Sequence, residues 1–304
     1  MERLLFEGSP DVGIGEVQLT GTQPGSSSNR RVLALINGIG ADNNDWGDFP
    51  DALAAEGIGC ALVDLSTITT HGYPSMHNYA DDFIHTLDSL DSLKGISVDL
   101  LGVSWGGGLA QEIALRHPNR IGNLVLAATM PGWTSVPPSI TAMRVLATSD
   151  RSSDSYFSRA GDVYGGDIRH HPELIGNISL NREVDREAYK RQQHAITRWW
   201  GHTLHRVAGI KNRTLVMGGA DDPIAHVINS KLLFDVIPNS SLHIVGKDEG
   251  GGHLFLHTRP IESARVIKEF LDGENDAPRL LNPRSIAALM RFTSRSMNLT
   301  SLYT

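Results

Sequence analysis

The chain has 304 residues, 40% of them hydrophobic and 20% charged, enough to bury a large core in one domain that carries an insertion. Its 27 Lys+Arg against 34 Asp+Glu give a net charge of −7 with no basic run, so the basic footprint required for nucleic-acid binding is absent. The single cysteine, Cys60, excludes an intramolecular disulfide framework and a Cys-based zinc site, and its apolar setting in GIGCALVDL marks a buried structural position.

The N-terminal stretch MERLLFEGSPDVGIGEVQL lacks a basic region followed by a long apolar core, and no window is apolar enough to span a bilayer. A cytoplasmic protein without a transmembrane segment is therefore expected. EVQLTGTQ reads as an antiparallel edge strand, and GTQPGSSSNRR as a loop. From about residue 32 onward, short aliphatic runs alternate with helical patterns. RVLALING, IGCALVDLS, ISVDLLGVS and IGNLVLAAT are strands. DWGDFPDALAAEG, MHNYADDFIHTLDSL and GGLAQEIALRHP are helices, the first closed by Gly57 and the last by Pro118. Apolar strands alternating with helices predict an α/β fold with a mostly parallel sheet covered on both faces.

The alternation breaks at Met130-Pro131-Gly132 and resumes with RTLVMGGADD, a helix over about 226–236, the strand SSLHIVGK and the amphipathic helix RPIESARVIKEFLDG. Residues 1–130 and 206–273 thus form the predicted core, and 131–205 an inserted, mainly helical cap. Residues 274–304 read as a linker and a C-terminal amphipathic helix, with Asn282-Pro283 at its start, docked on its own domain.

GVSWGGG, residues 102–108, falls between a predicted strand and a predicted helix. There a serine at the apex needs strained backbone angles, and Gly102 and Gly106 relieve the crowding around it. Ser104 is the candidate nucleophile, next to a helix N-terminus that favours an oxyanion. A serine nucleophile needs a base oriented by a carboxylate. Asp221 or Asp222 follows a strand, and His253 follows the next one in KDEGGGHLFL; one of the two aspartates also suits a helix N-cap. His170, His171, His202 and His205 lack acidic or Cys partners at ligand spacing, so no metal site is predicted. Asp42, Asp45 and Asp48 fit no calcium loop and read as helix caps. Trp46, Trp133, Trp199 and Trp200 are candidates for an apolar pocket, or simply for core.

Over about residues 12–273 the chain resembles the α/β-hydrolase superfamily. Within it the chain is most similar to intracellular medium-chain-length poly(3-hydroxyalkanoate) depolymerases, through NGIGA at 37–41, GVSWGGGLAQ at 102–111, VYGGDIRHHPEL at 163–174 and GGHLFLHTRP at 251–260. The resemblance implies the α/β-hydrolase fold and a Ser104–Asp222–His253 triad, Asp222 being preferred because the acid falls three residues after Gly219 and near Pro223. It also implies an oxyanion hole from the amides of Ile39 and Trp105, with Asn37 where this fold often has histidine; the Trp105 ring itself reads equally as a wall of the substrate site or as core, and Trp133 as a candidate wall. The activity implied is hydrolysis of a hydrophobic 3-hydroxyacyl polyester or its oligomers, with a polymer granule surface as candidate partner and no cofactor or metal.

Overall fold

The computed structural model describes residues 16–20, 31–68, 73–146, 159–177, 185–199 and 204–273. The predicted loop at 21–30 and the C-terminal segment 274–304 lie outside the described residues, as do Trp200 and His202.

The described strands are β1 (Glu16–Thr20), β2 (Val32–Ile36), β3 (Gly59–Asp64), β4 (Val98–Val103), β5 (Ile121–Ala127), β6 (Thr214–Gly219) and β7 (Ser240–Val245). They form one sheet in the order β1-β3-β2-β4-β5-β6-β7. β1 is the antiparallel edge, with Glu16 opposite Asp64 and Thr20 opposite Cys60; every other pairing is parallel.

Alternation along each strand divides the core in two. Ala34, Ile36, Leu100, Leu124, Leu126 and Val216 face α2 (Met76–Asp88), α3 (Trp105–Arg116) and α10 (Val227–Val236). Leu33, Leu35, Leu101, Val103, Val125 and Met217 face α1 (Phe49–Ala55) and α12 (Pro260–Leu271). Cys60 is buried on β3 in this second layer, and burial pushes its thiol up to about 12, so it stays protonated at neutral pH.

Local signals set the helix ends. Ser75 caps α2 through the Asn78 amide, and Gly57, at φ 78°, follows α1. Asp42 and Asp45 form a reciprocal capping box on the short helical turn Asn43–Trp46. Asp48 occupies the N-cap position of α1 without a side-chain bond to it, so the expected capping holds for two of the three aspartates.

Between β5 and β6 the described elements are all helical: a turn at Gly132–Thr134, α4 (Ile140–Leu146), α5 (Ala160–Tyr164), α6 (Gly166–His170), α7 (Leu174–Asn177), α8 (Arg186–Thr197) and α9 (Leu204–Val207). Ala142, Ala160, Val163, Tyr164, Ile168 and Ile175 make a small cluster of their own with Ile224 and Leu254. Those last two belong to loops that follow β6 and β7, so the helices between β5 and β6 pack against loops at the C-terminal edge of the sheet. After β7 the described residues end with α11 (Phe255–Thr258) and α12.

Candidate active site

In a parallel sheet the loops after the strands gather at one edge. Five such loops meet here, after β2, β4, β5, β6 and β7.

β4 ends at Val103 and α3 begins at Trp105, which leaves Ser104 to make the whole turn at φ 56°, ψ −119°. Such angles are costly for a residue with a side chain and persist only where the surroundings enforce them. The Ser104 amide donates to the Ala127 carbonyl at 3.0 Å, and the Thr129 hydroxyl donates to the Ser104 carbonyl at 2.7 Å. A Cβ at Gly102 would collide with the Gly106 carbonyl, and one at Gly106 with the carbonyls of Ile36 and Asn37. The glycines therefore let α3 start against β4 and against the loop after β2. Gly107 faces the Thr129 side chain, while the Trp199 ring lies 3.1 Å from where a Cβ of Gly108 would be.

His253 bridges to the other two loops. It lies 2.8 Å from Asp222 Oδ2 through Nδ1 and 3.1 Å from Ser104 Oγ through Nε2. An ionised carboxylate only accepts hydrogen bonds, so the proton sits on Nδ1, and Nε2 is free to accept from the Ser104 hydroxyl. Asp222 is buried, and its second oxygen accepts from the amides of Ile224 and Ala225 at 2.8 Å each. Those bonds fix the carboxylate, and they resemble the N-cap role considered from the sequence.

Asp221 points elsewhere. Its Oδ2 accepts from the Gly166 amide and from Arg169 Nε, both at 3.0 Å, and Lys247 lies 3.8 Å from Oδ1. Partial burial would raise its pKa, but these donors outweigh it and hold the carboxyl below the usual range. The segment 164–169 continues onto the histidine loop. The His253 amide donates to the Tyr164 carbonyl at 2.7 Å, the Asp167 amide donates to the Gly250 carbonyl at 3.3 Å, and Asp167 accepts two bonds from Arg259.

The NGIGA loop after β2 lies beside the serine: a Cβ at Gly38 would be 3.6 Å from Ser104 Cβ. Asn37 organises the loop, accepting from the Gly38 amide at 2.8 Å and donating to the Asp42 carbonyl at 3.1 Å. Ile39 packs half-buried against the core, and Gly40 donates to Gln192 Oε1 at 2.7 Å. The Trp105 ring is buried edge-on against Tyr79, with ring centres 5.3 Å apart, and donates from Nε1 to the Gln192 carbonyl at 3.1 Å. The Trp105 ring thus lies in the core, while its amide starts α3 directly after Ser104.

The backbone of Trp133 lies in the turn after β5, and its side chain lies outside the described residues. Trp46 is core, stacked on Phe49 and His257; Trp199 is core and donates to Glu112 at 3.0 Å. His170, His171 and His205 are exposed, and His171 pairs with Glu173. Among the described residues no group of three or more His, Cys, Asp or Glu is placed to hold a metal ion, and no helix is long and apolar enough to cross a membrane.

The sequence reading did not include Gln192, Thr129 or Arg169. Thr129 and Arg169 give no local signal. Gln192 does, because it is the polar member of the buried stripe Ala188, Tyr189, Gln192, Ala195 along α8.

A sheet of this order with a serine on a strained strand-to-helix turn defines a hydrolase scaffold, and residues 33–266 match the α/β hydrolase family. The chain belongs to that family. Across 258 residues it is 36% identical to a poly(3-hydroxyalkanoate) depolymerase of Ectopseudomonas oleovorans, which covers 83% of this chain and 88% of the relative. Among solved structures it resembles a meta-cleavage product hydrolase from Pseudomonas fluorescens IP01 (TM-score 0.67, 19% identity, 86% of this chain and 96% of the other). It also resembles the enol-lactonase from Burkholderia xenovorans LB400 (TM-score 0.64, 20% identity, 85% and 97%). At that identity the structural likeness speaks for the fold alone.

Proposed function

We propose that the protein is a serine-dependent carboxylic-ester hydrolase acting on a hydrophobic 3-hydroxyacyl polyester or its oligomers. The observation that carries this reading is the continuous chain of hydrogen bonds from Ser104 through His253 to the buried Asp222. Ser104 Oγ attacks the ester carbonyl carbon as His253 Nε2 takes its proton, and Asp222 stabilises the resulting imidazolium. The amides of Ile39 and Trp105 donate to the oxyanion. Collapse of the tetrahedral intermediate passes the proton from His253 to the leaving alcohol and leaves an acyl-serine. Water, deprotonated by the same histidine, then attacks the acyl-serine and releases the acid.

The substrate class follows from the depolymerase relative, together with the Ser-Trp-Gly-Gly and His-Leu-Phe-Leu segments. In this reading residues 131–205 are a cap that selects the substrate, Trp133 belongs to its wall, and the protein works in the cytoplasm at a polymer granule surface.

A fluorophosphonate probe should label the wild type and leave Ser104→Ala unlabelled; equal labelling of both would overturn the nucleophile. Hydrolysis should then be compared on medium-chain polyhydroxyalkanoate, polyhydroxybutyrate and p-nitrophenyl esters of graded length. Turnover of the medium-chain polymer is expected. Activity confined to short soluble esters would remove the polymer and keep the ester hydrolase. Co-sedimentation with isolated granules tests the surface.

A further inference from the structure

Helix α8 lies in the insertion, yet one of its residues touches both segments that carry the candidate oxyanion donors. Gln192 accepts from the Gly40 amide through Oε1 at 2.7 Å and from Trp105 Nε1 through its main-chain carbonyl at 3.1 Å. Gly40 follows Ile39, and Trp105 follows Ser104. The two segments are about 65 residues apart in sequence, and Gln192 is more than 85 residues from either of them.

The side chain is fully buried on a helix face otherwise made of Ala188, Tyr189 and Ala195. A glutamine is an expensive choice there, since a buried amide must find partners for both of its ends. The orientation of this amide is settled by chemistry: the Gly40 N–H is a donor, so the carbonyl end must face it. The other end, Nε2, is buried and has no partner among the described residues. A side chain present only to fill volume would be apolar. The bond to Gly40 is what the glutamine provides. Asn37 and Gln192 then grip the loop from opposite ends, Asn37 at the Gly38 amide and Gln192 at the Gly40 amide, with Ile39 between them.

We propose that Gln192 is a positioning residue for the oxyanion loop: by holding the Gly40 amide and the Trp105 indole on one helix, it sets the spacing between the Ile39 and Trp105 donors. The insertion is thereby part of the catalytic frame as well as a cover over it. An error of about 1 Å in such donors is enough to cost on the order of a hundredfold in rate, because they must match the oxyanion and not the ground-state carbonyl.

The inference rests on the serine-hydrolase reading for its kinetic consequence, but not for its structural one, and the test separates the two. Gln192→Met keeps the shape and removes the acceptor; Gln192→Glu keeps an acceptor for Gly40. Hydrogen–deuterium exchange of the peptide spanning 37–42 is read alongside kcat and KM on a p-nitrophenyl ester. Gln192→Met should speed exchange of that peptide by about tenfold or more and lower kcat by about ten- to a hundredfold, with KM within about threefold. Gln192→Glu should recover most of the protection. Lys190→Ala, on the exposed side of the same helix, should alter neither reading. Unchanged exchange in Gln192→Met, or a change confined to KM, would overturn the proposal. So would an equal effect from Lys190→Ala. If the wild type does not turn over esters at all, the hydrolase reading fails, and the exchange measurement still decides whether Gln192 holds the loop.

Discussion

The backbone amide of His253 donates to the carbonyl of Tyr164 at 2.7 Å, and the two rings stack with centres 6.3 Å apart. The candidate base is therefore held by α5, between β5 and β6, as well as by its own loop. The approach requires Gly165 and Gly166, at φ 63° and 51°. A Cβ on Gly165 would strike the Asp221 carbonyl, and one on Gly166 the backbone of Gly250 and Gly252. Gly166→Ala is expected to push the histidine loop away, lowering kcat by about a hundredfold and stability by about 2 kcal/mol or more. Steady-state kinetics and a urea titration would check this, and wild-type kcat in a folded Gly166→Ala would refute it.

The adjacent aspartates should separate cleanly by mutation. Asp222→Asn leaves the shape but presents an amide to His253 Nδ1, favouring the wrong tautomer, and is expected to cost on the order of 10⁴ in kcat. Asp221→Asn disturbs the partly exposed pairings with Arg169 and Lys247 and the bond from the Gly166 amide, and is expected to cost less than about tenfold. Parallel kinetics of the two variants decide it, and similar losses would mean that the two carboxylates act together.

These contrasts mark where the sequence stops being informative. Strands such as VLALI and VDLLGV are legible because both faces are buried, which leaves continuous apolar runs. The turn at Ser104 is legible because only glycine tolerates the neighbouring contacts. The choice between Asp221 and Asp222 is not a local property: both follow the same strand, and only the approach of His253 distinguishes them. The grip of 164–169 on the catalytic loops is likewise invisible, because Arg169 and Asp221 are 52 residues apart and follow no periodicity. Gly107 meets the Thr129 side chain just beyond β5, a contact between segments far apart in sequence. Gly108 likewise sits against the Trp199 ring, about ninety residues away.

Helix α3 is anchored by a carboxylate rather than by packing alone. Glu112 is fully buried and accepts from Arg206 at 2.6 Å on each oxygen and from Trp199 Nε1 at 3.0 Å, with His77 3.3 Å away. Burial raises its pKa, but the hydrogen bonds from Arg206 and Trp199 prevail and leave it below the usual carboxylate range. A depressed folded pKa means that Glu112 stabilises the fold above the unfolded value, and this is lost as pH falls through the folded one. Arg206→Met strands the buried charge and is expected to cost about 3 kcal/mol at neutral pH. Its deficit against wild type should shrink on acidification, because the stranded carboxyl can then protonate. Urea titrations at pH 7 and pH 4.5 test this, and a deficit that stays constant would rule it out.

His257 also makes stability fall on acidification, but as a buried base kept neutral rather than as a paired acid. One turn beyond His253, it stacks on Trp46 with ring centres 5.9 Å apart, and its Nδ1 is buried without a partner among the described residues. Burial first, then the neighbouring His253, push its pKa down to about 4, against a hydrogen bond to the Asp45 main-chain carbonyl that acts the other way. In the unfolded chain the ring protonates near its ordinary value, so between about pH 6.5 and 4 the unfolded state binds more protons. Stability should therefore fall across that window, by up to about 3 kcal/mol from this residue. His257→Phe removes the titrating group and keeps a ring on Trp46. Its urea midpoint should fall less steeply than that of the wild type from pH 6.5 to 4. Matching slopes would show that the acid limb arises elsewhere and that His257 takes up its proton alike in both states.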